Sequence, residues 1–229
     1  MVLGATGNVG GRIVRLLVES PLCKKVVVVT RRKTGMFADA KVSEVVVNMD
    51  RLEEEVARHV GGVDVALAAF GVGKGTAKMP DKEVRKVEIG YPQAFCRAAK
   101  AAGARVGGVM TAVGADAESR LKYVKIIGEK EKAVEAVKFD FLALYRPAVL
   151  LGNSNTPSYL GYLMPLVHWV MPSKYHSIHI NDLARAMVAR SEKAWQAIAR
   201  DGVTRVTVVE VLEYKDMKPY FVKGDGNAC

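Results

Sequence analysis

The sequence predicts an α/β fold in which helices cover both faces of a doubly wound parallel sheet. Three observations support this prediction. A turn with regularly spaced glycines lies near the N-terminus, between an apolar stub and an amphipathic segment. Short, continuous apolar runs then recur along the chain, and charged amphipathic stretches separate them. Strands that are buried on both faces have such runs, and strand–helix–strand repeats form right-handed crossovers in a parallel sheet.

The first element is a very short strand that leads into the glycine turn. Gly4, Gly7 and Gly10 have the spacing G-x-x-G-x-x-G and open the amphipathic segment 12–19. Glycine lacks a Cβ atom, so the backbone can approach a pyrophosphate closely, and the following helix directs free N–H groups at the phosphates. A turn that binds no ligand is the alternative. The predicted dinucleotide contacts are Gly4, Thr6, Gly7, Asn8, Val9 and Gly10.

The later strands and helices alternate regularly. The predicted strands are Val26–Val29, Val45–Val47, Val63–Ala68, Val106–Met110, Phe141–Tyr145 and Val206–Val209. The predicted helices are Asp50–His59, Pro80–Ala102, Ser119–Val137 and Asn181–Ala199. The Pro- and Gly-containing stretch 153–173 breaks the alternation. We therefore predict one domain over residues 1–229, with residues 153–180 as a lid or a small C-terminal lobe on the substrate side.

The residues after the second strand indicate which dinucleotide would bind. NAD sites place an acidic residue there to bind the ribose 2′-hydroxyl, whereas an arginine accommodates a 2′-phosphate. Arg31 and Arg32 occupy this position, and no acidic residue does. A guanidinium–phosphate pair gives roughly a tenfold to hundredfold preference. The sequence therefore predicts NADP or NADPH as the cofactor, and an ordinary basic loop is the alternative.

The loops after the third and fourth strands complete the predicted cofactor site. Asp50 is expected to meet the adenine end, although an aspartate is also a favoured N-cap and could cap the helix at 50–59. Ala69, Phe70 and Gly71 follow the fourth strand, where they would line the adenosine ribose and the pyrophosphate.

Composition and charge narrow the classes of partner. The 229-residue chain has a formal net charge of +10, but many basic residues stand beside acidic ones, as in residues 129–132. Zinc-finger, RNA-binding and basic-arm signatures are absent from the sequence, so we expect no specific nucleic-acid binding. No apolar run has the length of a membrane span, so no such span is predicted.

The cysteines and histidines do not have the spacing of a metal site. Cys23, Cys96 and Cys229 are scattered, and the chain shows no signal peptide, which together favour a reducing, cytoplasmic location. His176 and His179 lie three residues apart in a short extended segment, so their side chains would face opposite ways. We therefore predict no metal site.

Several motifs together resemble a known family. They are Leu3–Gly10, Thr30–Arg32, Gly114–Asp116, Tyr123 together with Gly128 and Glu129, and Arg146–Gly152. In this order they resemble the atypical short-chain dehydrogenase/reductase superfamily, and most closely its Tat-interacting oxidoreductase family. The resemblance covers nearly the whole chain. It implies a Rossmann-type fold and an NADP(H)-dependent reaction on a small carbonyl or alcohol substrate.

The same resemblance implies a catalytic arrangement that this chain meets only in part. It implies a tyrosine that exchanges a proton with the substrate, a Ser or Thr that orients the substrate oxygen, and a lysine four residues after the tyrosine. Tyr123 and Thr111 match the first two, but Ile127 stands where the lysine is implied. A nearby cation matters because an unperturbed tyrosine has a pKa of about 10. Lys130 is two turns from Tyr123 on nearly the same helix face and does not replace that lysine without a change of register.

Two functions therefore remain open at this point. The first is an oxidoreductase with an incomplete Tyr-x-x-x-Lys dyad, with Tyr123 as proton donor and Thr111 as substrate orienter. In it, Pro147, Ala148 and Val149 would lie near the nicotinamide carboxamide through backbone contacts. The second is a catalytically weak or inactive NADP-sensing regulatory or scaffold protein that binds other proteins.

Overall fold

Seven parallel strands form the central sheet of the computed structural model, which describes residues 1–72, 79–153, 169–202 and 207–221. Their order across the sheet is β3-β2-β1-β4-β5-β6-β9. These strands are β1 (Val2–Leu3), β2 (Val26–Thr30), β3 (Val42–Val46), β4 (Val65–Ala68), β5 (Val106–Met110), β6 (Phe141–Tyr145) and β9 (Val208–Leu212). A separate parallel pair consists of β7 (Leu150–Leu151) and β8 (Ile178–His179). The strand order reverses beside β1, so the crevice for a ligand lies at the carboxyl ends of β1 and β4.

Helices cover both faces of the sheet, which confirms the predicted doubly wound α/β class. The helices are α1 (Asn8–Glu19), α2 (Leu52–His59), α3 (Asp81–Arg85), α4 (Tyr91–Ala101), α5 (Lys122–Glu135), α6 (Ile180–Asp201) and α7 (Tyr214–Met217). One buried core joins α1 and α6 to the sheet, and a second core on the opposite face includes side chains of α2, α4 and α5.

The valine run of β2 shows why the central strands lack alternation in their sequence. Val26 and Val28 belong to the core under α1 and α6, while Val27 and Val29 face the other core. Successive side chains of a strand point to opposite faces, so a strand covered on both sides needs an apolar residue at every position. The continuous run is thus a consequence of the two helical layers.

Several element bounds differ from the sequence prediction for local reasons. The helix predicted from Asp50 begins at Leu52, because residues 49–51 form a 3-10 turn that the side chain of Asn48 caps. Asp50 is therefore not the N-cap of this helix. The helix predicted over 80–102 is interrupted by a π-helical turn, Lys86–Gly90, between α3 and α4. Such turns accommodate one extra residue and have no simple sequence signature.

The predicted lid can be followed only at its ends. Residues 154–168 of the predicted lobe lie outside the described residues. The described remainder contains a 3-10 turn at Ser173–Tyr175, then β8 and the start of α6. His179, one of the two histidines considered for a metal, is the N-cap of α6 and accepts a hydrogen bond from the backbone N–H of Asn181.

Candidate functional site

The glycine turn brings β1, α1 and the end of β4 into backbone contact. Gly4 has a φ of +85°, and a Cβ atom there would lie 2.3 Å from the carbonyl oxygen of Ala69. A Cβ atom on Gly10 would lie 2.1 Å from the carbonyl oxygen of Gly4. Gly7 precedes α1 and has no side chain with which to cap it. The turn can therefore be this tight only with glycine at positions 4 and 10.

A cavity of about 490 Å³ adjoins this turn and collects most of the predicted site residues. Those that line it are Gly7, Asn8, Val9, Ala69, Phe70, Gly71, Thr111, Tyr123, Pro147 and Ala148. They come from the first turn of α1, the ends of β4, β5 and β6, and α5. The N-terminus of α1 has no acidic residue in its first turn, and its N–H groups and dipole favour an anion at this wall.

A second cavity, of about 510 Å³, lies at the opposite end of the sheet. Its lining includes residues at the starts of β2 and β4, such as Lys25 and Asp64, and none of the predicted site residues. Ligands of open α/β sheets bind outside the carboxyl ends of the strands. The cavity beside the glycine turn is therefore the candidate site.

The remaining predicted residues lie outside the cavity lining. Gly4 and Thr6 belong to the turn itself, Gly10 lies in the first turn of α1, and Arg31 and Arg32 are exposed directly after β2. Both arginines follow β2, which neighbours β1 on one side, whereas β4, β5 and β6 lie on the other side of β1.

Asp50 and Val149 are held by contacts within the protein. The Asp50 carboxylate accepts a hydrogen bond of 2.9 Å from the Tyr91 hydroxyl and pairs with the Lys86 ammonium at 2.6 Å. The hydrogen bond from Lys86 is the main reason why the pKa of Asp50 lies below its ordinary value. The carbonyl oxygen of Val149 accepts a hydrogen bond from the N–H of Ile178. This bond connects the segment after β6 with β8.

Tyr123 lies in the cavity wall, and no cation among the described residues lowers its pKa. Its side chain is 48% exposed, and partial burial, followed by the negative charge of Glu88, raises the pKa of its hydroxyl above the ordinary value. Ile127 is buried one turn further along α5 and lines the same cavity. The phenol is therefore protonated near neutral pH, and its conversion to phenolate is disfavoured.

Thr111 is buried at the end of β5, and its hydroxyl is already engaged. The hydroxyl lies 2.7 Å from Oε1 of Glu131 and 3.2 Å from the carbonyl oxygen of Tyr145, to which it can donate. Glu131 also accepts hydrogen bonds from Arg146, at 2.8 Å from Nε and 2.5 Å from the terminal nitrogen. A substrate oxygen would have to compete with Glu131 for the hydroxyl hydrogen of Thr111.

The cavity also contains a buried ion pair that the sequence did not indicate. Lys130 is 2% exposed, and its ammonium donates a hydrogen bond of 3.0 Å to the carbonyl oxygen of Phe70 and lies 3.4 Å from Oε2 of Glu88. Burial lowers the pKa of Lys130, and Glu88 acts in the opposite direction. Helical spacing predicted that Lys130 lies on the same face of its helix as Tyr123. Glu88 lies on the π-helical turn, and no sequence pattern predicted its position in the cavity.

Comparisons with known proteins identify the family. The model of the NAD(P)H-binding family matches residues 4–190. The chain belongs to this family. Protein FMP52 of Lodderomyces elongisporus is 28% identical to it over 94% of this chain and 96% of that protein. FMP52 of Candida albicans is 30% identical over 70% of each chain. HTATIP2 of Rattus norvegicus is 34% identical over 66% of this chain and 62% of that protein, which confirms the resemblance to the Tat-interacting family.

Solved structures of low identity share the fold. MoeE5, in complex with UDP-glucose and NAD, superposes with a TM-score of 0.64 at 15% identity, over 93% of this chain and 75% of MoeE5. The UDP-glucose 4-epimerase of Thermotoga maritima gives a TM-score of 0.62 at 13% identity, over 95% of this chain and 90% of the epimerase. These matches place the chain among Rossmann-type folds.

The relatives correct one expectation from the sequence. FMP52 of Lodderomyces elongisporus, Candida albicans and Saccharomyces cerevisiae is named as mitochondrial in each case. The expected cytoplasmic location conflicts with these names and is wrong. Scattered cysteines indicate a reducing environment, which does not specify one compartment. Within the described parts of the chain, no helix is both long and apolar enough to cross a bilayer.

Proposed function

We propose that the protein is an NADP(H)-dependent oxidoreductase that acts slowly on a carbonyl or hydroxyl substrate. One observation carries the proposal: a single cavity joins the glycine turn, the N-terminus of α1 and the Tyr123 side chain. Gly4 and Gly10 permit the tight turn, since a Cβ atom at either position would overlap the backbone, and this turn places the N–H groups at the start of α1 where a pyrophosphate could bind. Membership of the NAD(P)H-binding family supports the same assignment.

The preference for NADP over NAD is the finer part of this proposal. Arg31 and Arg32 are exposed at the end of β2, and no ion pair engages either side chain among the described residues. A 2′-phosphate on the adenosine ribose would meet these guanidinium groups, whereas Asp50 is already paired with Lys86. Gly4, Thr6, Gly7, Asn8, Val9 and Gly10 would hold the pyrophosphate, and Ala69, Phe70 and Gly71 would border it.

Tyr123 is the proposed proton donor. In the direction of reduction, the cofactor when bound would serve as the hydride donor. The Tyr123 hydroxyl would give its proton to the carbonyl oxygen as the alcohol forms, and the resulting phenolate would take a proton from solvent. Ile127 leaves this tyrosine without a cation on the next turn, and we therefore expect slow turnover. Thr111 would orient the substrate oxygen, and backbone groups of Pro147, Ala148 and Val149 would border the nicotinamide.

Apolar side chains in the described cavity lining favour a mainly apolar substrate. Lys130 is the only lysine or arginine among the described residues that line it, and this ammonium is paired with Glu88. Met110, Ile127 and Leu150 make much of the remaining wall apolar. We propose a mainly apolar carbonyl or alcohol, in contrast to the UDP-glucose bound by MoeE5.

A second candidate function is an NADP-sensing regulatory or scaffold protein that binds other proteins. The absence of a lysine at position 127 and the raised pKa of Tyr123 favour it. In that case the cofactor would bind and the carbonyl chemistry would be lost.

NADPH oxidation across a panel of apolar aldehydes and ketones separates the two candidates. The oxidoreductase proposal expects slow, substrate-dependent oxidation that Tyr123→Phe reduces at least about 100-fold, since general acid catalysis contributes that much. Tyr175→Phe is the matched control, because Tyr175 is exposed and lies outside the cavity lining. NADPH binding without turnover on any of these substrates would reject the oxidoreductase and leave the sensor. Turnover that survives Tyr123→Phe would reject Tyr123 as the proton donor.

A further inference from the structure

We infer that Lys130 and Glu88 are positioning residues that hold the loop after β4 against the nicotinamide half of the cofactor. The inference rests on the proposed NADP(H) function and assigns roles to two residues that are not among the site residues predicted from the sequence.

The two side chains fasten this loop at two successive points. The Lys130 ammonium donates to the carbonyl oxygen of Phe70 at 3.0 Å, and Oε1 of Glu88 accepts from the N–H of Val72 at 2.7 Å. The Lys130 ammonium lies 3.4 Å from Oε2 of Glu88, so the two side chains that bind the loop also bind each other. The ion pair therefore fixes the backbone of residues 70–72.

Gly71, between these two points, lies directly on the carboxylate. A Cβ atom on Gly71 would be 2.9 Å from Oε1 of Glu88 and 3.0 Å from Oε2. Any side chain there would push the loop away from Glu88 or displace the carboxylate. The close approach shows that the loop and the ion pair are fitted to each other at van der Waals distance.

Three elements meet at this pair. Lys130 extends from α5, two turns after Tyr123, and Glu88 extends from the π-helical turn Lys86–Gly90. The loop itself follows β4, whose carboxyl end borders the crevice next to β1. Because π-helical turns are frequent at functional sites, this irregularity under the cavity is consistent with a functional role for Glu88.

Stability alone does not account for a pair buried this deeply. Lys130 is 2% exposed and Glu88 is 3% exposed, so both charges are removed from water. Apolar residues of similar volume often give equal or greater stability than such a pair. Both residues line the cavity together with Tyr123. An apolar pair at these positions would make neither of the two hydrogen bonds to the loop. The ion pair therefore fixes this wall of the cavity in a way that apolar side chains could not.

The pair acts on only one half of the proposed cofactor. It lies on the side of β4 and α5, whereas Arg31 and Arg32 follow β2 on the other side of β1. Phe70 and Gly71 line the same cavity as Tyr123, so we assign this loop to the nicotinamide side of the pyrophosphate and not to the adenosine ribose that the sequence predicted. A dinucleotide that crosses the switch point would place its adenosine half near the arginines and its nicotinamide half near Tyr123. Loss of the pair should therefore weaken binding of the whole dinucleotide and spare binding of its adenosine half.

The test compares two ligands in the variant Glu88→Gln/Lys130→Met by isothermal titration calorimetry. This double variant keeps similar side-chain volumes and leaves no unpaired buried charge. We expect the Kd for NADPH to rise about tenfold, the size of losing a hydrogen bond to a charged group. The Kd for adenosine 2′,5′-bisphosphate should change less than twofold. Lys132→Met is the matched control on the same helix, because its ammonium pairs with Glu118 at the surface.

Two further variants keep the test decisive if the double variant does not fold. Lys130→Arg retains a donor for the Phe70 carbonyl and should keep NADPH affinity within about threefold of the wild type. Gly71→Ala displaces the loop without removing a charge and should reproduce the loss for NADPH but not for the adenosine bisphosphate.

The outcomes separate failure of this inference from failure of the proposed function. Equal losses for both ligands, or no loss for either, would overturn the positioning role while the cofactor assignment stands. A wild-type protein that binds neither ligand would overturn the cofactor assignment itself, and the positioning role with it.

Discussion

At the residue scale, burial and Glu88 raise the pKa of Tyr123, and the isoleucine at position 127 supplies no charge to oppose them. The pKa of Tyr123 is raised by burial and by Glu88, and the nearest cation in the cavity, Lys130, is already bonded to Glu88 and Phe70. The hydroxyl therefore stays protonated through neutral pH. Reduction of a carbonyl needs this protonated form, whereas oxidation of an alcohol needs the phenolate.

Ile127→Lys should increase alcohol oxidation by supplying an ammonium one turn from Tyr123. An opposite charge within about 4–6 Å lowers the pKa of an acid, typically by 1–3 units for a close pair. Because the folded-state pKa of Tyr123 is raised, wild-type oxidation should climb with pH through the neutral and alkaline range. In the variant the same rise should occur at least one pH unit lower. The measurement is the pH dependence of kcat for alcohol oxidation with NADP.

The matched control for this experiment is Ile127→Met, which keeps an apolar side chain of similar size at the same position. It should retain the wild-type pH profile. A lysine variant whose pH profile matches that of the methionine variant would show that Tyr123 does not govern the reaction.

At the element scale, a backbone contact between the glycine turn and α1 requires glycine at position 10. Gly10 lies inside α1, where glycine normally costs helix stability, yet a Cβ atom there would lie 2.1 Å from the Gly4 carbonyl. Gly10→Ala should therefore push α1 away from β1 and move the N–H groups of its first turn. We expect at least a tenfold loss of NADPH affinity together with a lower Tm, measured by calorimetry and thermal unfolding.

Gly61→Ala is the control for that change. A Cβ atom on Gly61 would meet no heavy atom within 4 Å, so this variant should bind NADPH as the wild type does. If Gly10→Ala bound NADPH with unchanged affinity, the turn would not be the part of the protein that holds the pyrophosphate.

The same scale shows which elements could be predicted from sequence. The runs Val106–Met110 and Phe141–Tyr145 were predicted with the bounds that the structure has, because strands covered on both faces must be apolar throughout. The interruption of the long helix at Lys86–Gly90 could not be predicted, since a π-helical turn depends on how that helix meets α5 and the loop after β4.

At the scale of the whole molecule, topology explains why the candidate site was largely predictable. Parallel strands that reverse their order beside β1 leave one crevice at their carboxyl ends, so residues after β4, β5 and β6 meet there although they are distant in sequence. The pairing of Lys130 with Glu88 was not predictable in this way. It depends on the register between α5 and an irregular turn more than 40 positions earlier in the sequence, which no periodicity specifies.

The measurement that tests the central claim most directly is a calorimetric titration of the wild-type protein with NADPH and with NADH, repeated on Arg31→Ala/Arg32→Ala. Tighter binding of NADPH by the wild type, at least about tenfold, is expected from the guanidinium–phosphate contacts. The double variant should bind the two cofactors with similar affinity. Tighter binding of NADH by the wild type, or an NADPH affinity that is unchanged in the double variant, would contradict the NADP assignment.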